Sequence, residues 1–294
     1  MADRAAEGAA AARGATTGPG SPPAHNEAAT VRAADQPTAR PGIRVEQIMG
    51  TAISLDLRDT IDPAVIEASF DSLREVDRRF STWLPESEIS RLGRGELTVA
   101  ACSADVREVL ALCEIVRVQS RGAFDIRAGR GSAGPDPSGL VKGWGLERAA
   151  RLLDAGGARN YSLNGGGDIV TRGLADGRRW RIGIRHPDHG DRVAAVVAAT
   201  DLAVATSGLY ERGDHIVDPA TGRPPFELRS VTVIGPSLTF ADAYATAALV
   251  MGLEGLRWIA TLEGFGACGI TRDDRLVSTA LFDEVRAPFT EDAR

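Results

Sequence analysis

A carboxylate and a hydroxyl stand four positions apart in Asp242-Ala-Tyr-Ala-Thr246. On a helix such a pair shares one face, with roughly 5–6 Å between Cβ atoms. Two hard oxygen ligands suit Mg²⁺ or Ca²⁺ rather than zinc. An aspartate at a helix start also stabilises the N-terminal dipole, so the pair by itself is compatible with either role.

Four other segments offer chemistry. Asp136-Pro-Ser-Gly139-Leu-Val-Lys142-Gly143 combines glycine, which lets a backbone approach a ligand, with a lysine ahead of a helix whose N-terminus attracts anions. Its spacing is not that of a P-loop, and an ordinary turn before a helix would look the same. Gly122-Ala123-Phe124-Asp125 sets an aromatic beside a carboxylate, as a heterocycle site or as a core anchor with a turn cap. Asn164-Gly165-Gly166-Gly167-Asp168 reads equally as an anion nest or a tight hairpin. Thr206-Ser207-Gly208 through His215-Ile-Val-Asp218-Pro219-Ala-Thr221-Gly222 puts a histidine, the commonest general base, in a turn-rich loop. No GxSxG nucleophile elbow is present.

The elements that must position these residues follow from periodicity. Strands are expected around Ile43–Leu57, interrupted at Met49-Gly50-Thr51. A helix is expected over Pro63–Phe80, where Ile66, Phe70, Leu73, Val76 and Phe80 recur at helical spacing and proline suits the first turn. A short helical signal covers 85–89. Further helices are expected over about Ala104–Ser120, Trp144–Ala155 and Asp242–Met251, with another over Leu253–Leu262. Tyr161–Asn164 is expected as a strand with Trp180–Arg185 as its antiparallel neighbour, followed by strands at 193–199, 203–205 and 230–235. Strands cluster in hairpin-like groups, which favours α+β with mostly antiparallel sheet over a doubly wound parallel sheet.

Composition bounds the function. A net charge of −6 over 294 residues argues against nucleic acid as a partner, because a phosphate backbone demands a basic face. Three cysteines without a CxxC suggest neither a disulfide framework nor a thiolate zinc site. Residues 1–41 are dominated by Ala, Gly, Pro, Thr and Ser and cannot bury enough surface to offset their ordering entropy, so a disordered tail is expected there, with a folded domain over 42–290. No signal-like or membrane-spanning apolar stretch and no lipid-anchor cysteine near the start are seen, and the expectation is a cytoplasmic protein.

In order along the chain, Met49-Gly50-Thr51, Phe80-Ser81-Thr82-Trp83, Gly122-Ala123-Phe124-Asp125, Lys142-Gly143, Gly165-Gly166-Gly167-Asp168, Ala205-Thr206-Ser207-Gly208, the HxxDPxTG run from His215 and the DAxAT run from Asp242 resemble the ApbE family of FAD:protein FMN transferases. The likeness spans about Gly42–Thr279. It implies a two-lobed α+β fold with mostly antiparallel sheets, packed helices and an FAD cleft between the lobes. Met49, Trp83, Ala123, Phe124, Asp125, Asp136 and Lys142 match positions that line the flavin nucleotide. Asp242, Thr246 and the carbonyl of Gly139 match ligands of Mg²⁺, with Mn²⁺ as an alternative ion. His215 matches the general base.

The implied reaction moves the FMN half of FAD to a Thr or Ser hydroxyl of an acceptor flavoprotein and releases AMP. FAD pyrophosphatase activity, giving FMN and AMP, and a non-catalytic FAD-binding role are the competing functions. The chain departs from the family in a short connection at 126–141 and in Ile126-Arg127 after Phe124-Asp125.

Overall fold

The computed structural model describes residues 42–128, 134–189, 192–209 and 216–288. The tail expected at 1–41 therefore lies outside the described residues.

Strands β1 (Ile43–Ile48) and β2 (Thr51–Leu57) form a hairpin closed by Met49-Gly50, both at positive φ. Left-handed backbone at both central residues gives the turn the twist that the flanking strands require. Helix α1 (Pro63–Phe80) has the expected bounds. Asp62 caps it by accepting the Ala64 amide, and Phe70, Leu73, Val76 and Phe80 form its buried stripe. Helices α2 (Glu88–Gly93) and α3 (Ala104–Gln119) follow, capped by Ser87 and Ser103.

Helix α4 (Ser138–Ala155) begins six residues before the expected Trp144, so Gly139, Lys142 and Gly143 are helical rather than parts of a preceding loop. Then come β3 (Tyr161–Gly165), β4 (Asp168–Arg172), β5 (Trp180–Arg185), β6 (Val193–Ala199), β7 (Ala203–Gly208) and β8 (Leu228–Gly235). Helix α5 (Leu238–Met251) starts four residues before Asp242 and takes Ser237 as its cap. Elements α6 (Leu253–Ile259), β9 (Gly266–Thr271), β10 (Leu276–Ser278), α7 (Ala280–Val285) and β11 (Arg286–Ala287) complete the described chain.

Eight strands form one sheet in the order β1-β2-β3-β4-β7-β8-β9-β10, and three form a second in the order β11-β6-β5. Every strand pair within them is antiparallel, as expected for the α+β class. One strand expectation fails. The neighbours of β3 are β2 and β4, while Trp180–Arg185 pairs with β6 in the smaller sheet. Gly166 and Gly167, both at positive φ, turn the chain at once, so the adjacent strand is the one that starts at Asp168.

Side chains alternate across the large sheet, and both faces are buried. Val170, Ala203, Ala205, Val231 and Val233 face the main core with α1, α3, α4 and α5. Their neighbours Ile169, Val204 and Ile234 face Trp180, Ile182 and Val197 of the smaller sheet. Burial on both faces leaves these central strands no solvent side, so even their short polar residues Ser207, Ser230 and Thr232 are buried.

Candidate active site

Helices α4 and α5 pack antiparallel and touch along a ladder of three rungs. At the first, a Cβ built on Gly139 would stand 3.3 Å from Oγ1 of Thr246 and 3.3 Å from the Phe124 ring. At the second, the Gly143 amide donates to Oδ2 of Asp242 at 3.0 Å. At the third, Oε2 of Glu147 accepts Ser237 Oγ at 2.9 Å, the Thr239 amide at 2.9 Å and Thr239 Oγ1 at 2.7 Å. Steps of four on α4 meet steps of four and three on α5, the spacing at which residues share one helical face. The crossing needs glycine: a Cβ at Gly143 would lie 2.5 Å from the Leu238 carbonyl oxygen and 2.9 Å from Cβ of Asp242.

Asp242 is therefore in the second turn of α5, not at its start, and is only 4% exposed. Capping belongs to Ser237, which removes dipole stabilisation as the reason for an aspartate at 242. Thr246 is fixed from the other side by Ser207 on β7, with the two hydroxyl oxygens 3.0 Å apart.

Lys142, one turn into α4, reaches toward the sheet. Its Nζ lies 2.9 Å from Oδ2 of Asp168, a close ion-pair contact rather than an aligned hydrogen bond. Asp168 is fully buried at the start of β4, and its Oδ1 accepts the Thr206 amide of β7 at 3.2 Å. One carboxylate thus joins α4, β4 and β7. The glycines before it form a hairpin rather than an anion nest: Asn164 Oδ1 accepts the Gly167 amide at 2.9 Å.

Ala123, Phe124 and Asp125 are presented by the reversal that ends α3, where Arg121 and Gly122 take positive φ and the Gly122 amide returns to the Arg117 carbonyl. The Phe124 amide is held by Ser120 Oγ, and its ring is buried. Burial pushes the Asp125 carboxyl up, but hydrogen bonds and charge from Arg127 outweigh it and hold the group below the usual aspartate range. Asp136, one residue before the N-cap Pro137 of α4, accepts the Ser138 amide at 3.1 Å. Trp83 is 89% exposed.

Ten of the eleven residues singled out from sequence line one cleft of about 830 Å³: Met49, Trp83, Ala123, Phe124, Asp125, Asp136, Gly139, Lys142, Asp242 and Thr246. The eleventh, His215, lies outside the described residues; Ile216 and Val217 line the cleft. The volume is that of a small-molecule site. Sequence reasoning missed Asp168 as the partner of Lys142, Ser207 as the partner of Thr246, and Glu147 and Gly143 as the links between the two helices. Short polar residues on strands and glycines in a helix carry no periodic signal.

Among the described residues no group of three or more His, Cys, Asp or Glu is placed to hold an ion. Asp242 is the cleft carboxylate that could hold a cation together with neutral oxygens from Thr246 and the backbone of Gly139. That set suits Mg²⁺ or Mn²⁺, because Mg²⁺ characteristically takes one or two carboxylates and completes its shell with water and substrate phosphate.

The same stretch of chain matches the ApbE family over residues 49–133 and 131–268. The chain belongs to the ApbE family. An FAD:protein FMN transferase of Vibrio cholerae is 42% identical over 130 residues, 40% of this chain and 39% of that protein. An FAD:protein FMN transferase of Escherichia coli K12 is 35% identical over 149 residues, 47% of this chain and 42% of that protein. These matches span about two fifths of each curated relative. The solved structure of the flavin transferase ApbE from Vibrio cholerae aligns with a TM-score of 0.74 at 25% identity, covering 83% of this chain and 98% of that one. The second matched stretch, 131–268, carries both α4 and α5, so the ladder lies within it.

Proposed function

We propose that this ApbE-family chain transfers the FMN moiety of FAD to a Thr or Ser hydroxyl of a target flavoprotein and releases AMP, with Mg²⁺ or Mn²⁺ as helper. The observation that carries this reading is the convergence of Asp242, Thr246, Gly139 and Lys142 on one cleft that also holds Met49, Phe124 and Trp83. Oxygens for a hard cation, a positive charge for phosphate and apolar surface for a flavin are the three things a flavin dinucleotide needs.

In this mechanism Phe124 and Trp83 flank the ring system and Lys142 offsets charge on the pyrophosphate. Asp125 and Asp136 stand on the same wall as hydrogen-bond acceptors. A cation held by Asp242, Thr246 and the Gly139 carbonyl would supply charge neutralisation on the phosphate oxygens during in-line displacement. His215 takes the proton from the acceptor hydroxyl, which is a weak nucleophile until deprotonated. The hydroxyl oxygen forms a bond to the FMN phosphorus as the bond to AMP breaks. The product is a flavin joined to the acceptor by a phosphoester.

A cytoplasmic setting belongs to the same reading, supported by three buried free thiols that match a reducing compartment. No described helix is long and apolar enough to cross a membrane.

The test is incubation with FAD, Mg²⁺ and a flavoprotein bearing a Thr/Ser acceptor site, followed by a denaturing gel viewed for flavin fluorescence. A fluorescent acceptor band that requires both Mg²⁺ and the acceptor hydroxyl supports the transferase. Free FMN and AMP released at a rate that acceptor does not change overturns it in favour of a pyrophosphatase.

A further inference from the structure

From the third rung of the ladder we infer that Glu147 is a positioning residue for the cation site, acting through α5. This rests on the metal reading above. Glu147 touches none of the oxygens assigned to the cation, and it is not among the cleft-lining residues. Its carboxylate instead gathers three donors from the first residues of α5 onto a single oxygen. Those donors precede Asp242 by three and five residues, so they set where α5 begins and how it is rotated against α4.

The geometry makes this more than a generic cap. Ser237 already accepts the Phe240 amide as the local cap of α5. Glu147 comes from the other helix, and it is four residues beyond Gly143, whose amide is bound to Asp242. Gly139 lies four residues before Gly143 and meets Thr246. The three rungs therefore share one register, and the oxygens assigned to the cation occupy the first two. Fixing the third removes the freedom of α5 to slide or roll along the glycine-lined surface of α4, which offers little side-chain relief of its own. A negative charge at the N-terminus of α5 also complements its dipole.

A purely structural role would lower stability without selectively weakening the ion. Asp59 provides the matched control: its carboxylate likewise collects three donors, the amides of Arg159 and Asn160 and Nδ2 of Asn160, and it lies outside the cleft. The experiment measures Mn²⁺ affinity of the full chain by electron paramagnetic resonance with FAD present, alongside Tm in the absence of metal. It compares wild type with Glu147→Ala, Glu147→Asp, Glu147→Gln and Asp59→Ala.

The expected result is a rise of about tenfold in the Mn²⁺ dissociation constant for Glu147→Ala and Glu147→Asp, the equivalent of about 1.4 kcal/mol. Glu147→Gln keeps the length and one acceptor and restores most of the affinity. Asp59→Ala lowers Tm but leaves the ion bound as in wild type. Unchanged Mn²⁺ affinity in Glu147→Ala, or an equal loss in Asp59→Ala, overturns the inference. If wild type binds no Mn²⁺, the inference and the metal reading fall together. If the affinity pattern holds while no acceptor is labelled, the inference stands and the transferase reading alone fails.

Discussion

Oδ2 of Asp242 takes the amide proton of Gly143 at 3.0 Å, and that amide is the one whose regular helical acceptor is the carbonyl of Gly139. In the proposed metal site, one aspartate would both supply a carboxylate to the cation and compete for the proton that otherwise engages the Gly139 carbonyl. Preparing the backbone oxygen and supplying the carboxylate become a single task.

Replacing Asp242 with alanine removes both. FMN transfer falls by on the order of 10²–10³ in kcat, the loss typical of a preorganised electrostatic group. Thr246→Val keeps the shape and raises the Mg²⁺ concentration needed for half-maximal transfer by about 10–100-fold. Fluorescence of the labelled acceptor, followed across a Mg²⁺ titration, measures both.

Gly143→Ala forces a methyl against the Leu238 carbonyl oxygen and Asp242 Cβ. The helices must separate, at a cost of about 1–3 kcal/mol. Urea unfolding monitored by circular dichroism gives the loss. An unchanged midpoint would mean that α4 and α5 are not packed as described.

Lys142 and Asp168 form a double-mutant cycle. Lys142→Met strands a fully buried carboxylate, and the cost lies at the lower end of about 3–5 kcal/mol because the lysine side chain keeps 20% exposure. Adding Asp168→Asn recovers most of the stability. FAD affinity, read by flavin fluorescence quenching, stays weak in both variants that lack the lysine.

Asp125 carries a pH dependence with a definite sign. Its folded pKa is depressed, so its contribution to stability is complete above the unfolded aspartate range and is lost as pH falls through the folded value. Arg127→Ala removes the guanidinium bonds and charge while keeping the backbone amide bond, so the depression shrinks and the acid loss begins at higher pH. Unfolding free energies across about pH 3–6, bracketing the usual carboxylate values, check the order of the two curves.

Burial pushes the thiols of Cys113 and Cys268 up to about 12, and that of Cys102 upward as well. Thiolate is the reactive form, so a disulfide reagent near neutral pH labels none of the three in the folded chain and all three in denaturant.

Much of this architecture was legible in the sequence from apolar periodicity. Helix α1 announces itself by Pro63 in its first turn and by its apolar stripe, and α3 by its apolar side, while the caps Asp62 and Ser103 appear in the structure. The start of α4 was hidden for a physical reason. Gly139, Gly143 and Gly145 each cost a helix about 1 kcal/mol relative to alanine, so the segment reads as a loop. Those glycines are there because a second helix or a core side chain, Val76 at Gly145, occupies the space of a Cβ. Tertiary packing overrides local preference where the site is built. Strand β4 was missed because its first residue, Asp168, reads as the end of a glycine turn. The ordered motifs and the family they resemble were enough to gather ten cleft residues, but which hydroxyl or carboxylate steadies each of them appears only in three dimensions.

Gly143 and Asp242 are 99 positions apart. During synthesis at about 5–20 residues per second, α5 emerges roughly 5–20 s after its partner. Until then the glycine-lined surface of α4 lacks its packing partner, and a chain ending before α5 lacks the Asp242 and Thr246 that line the cleft. A cleft walled by both helices is therefore assembled only once the chain is complete through α5.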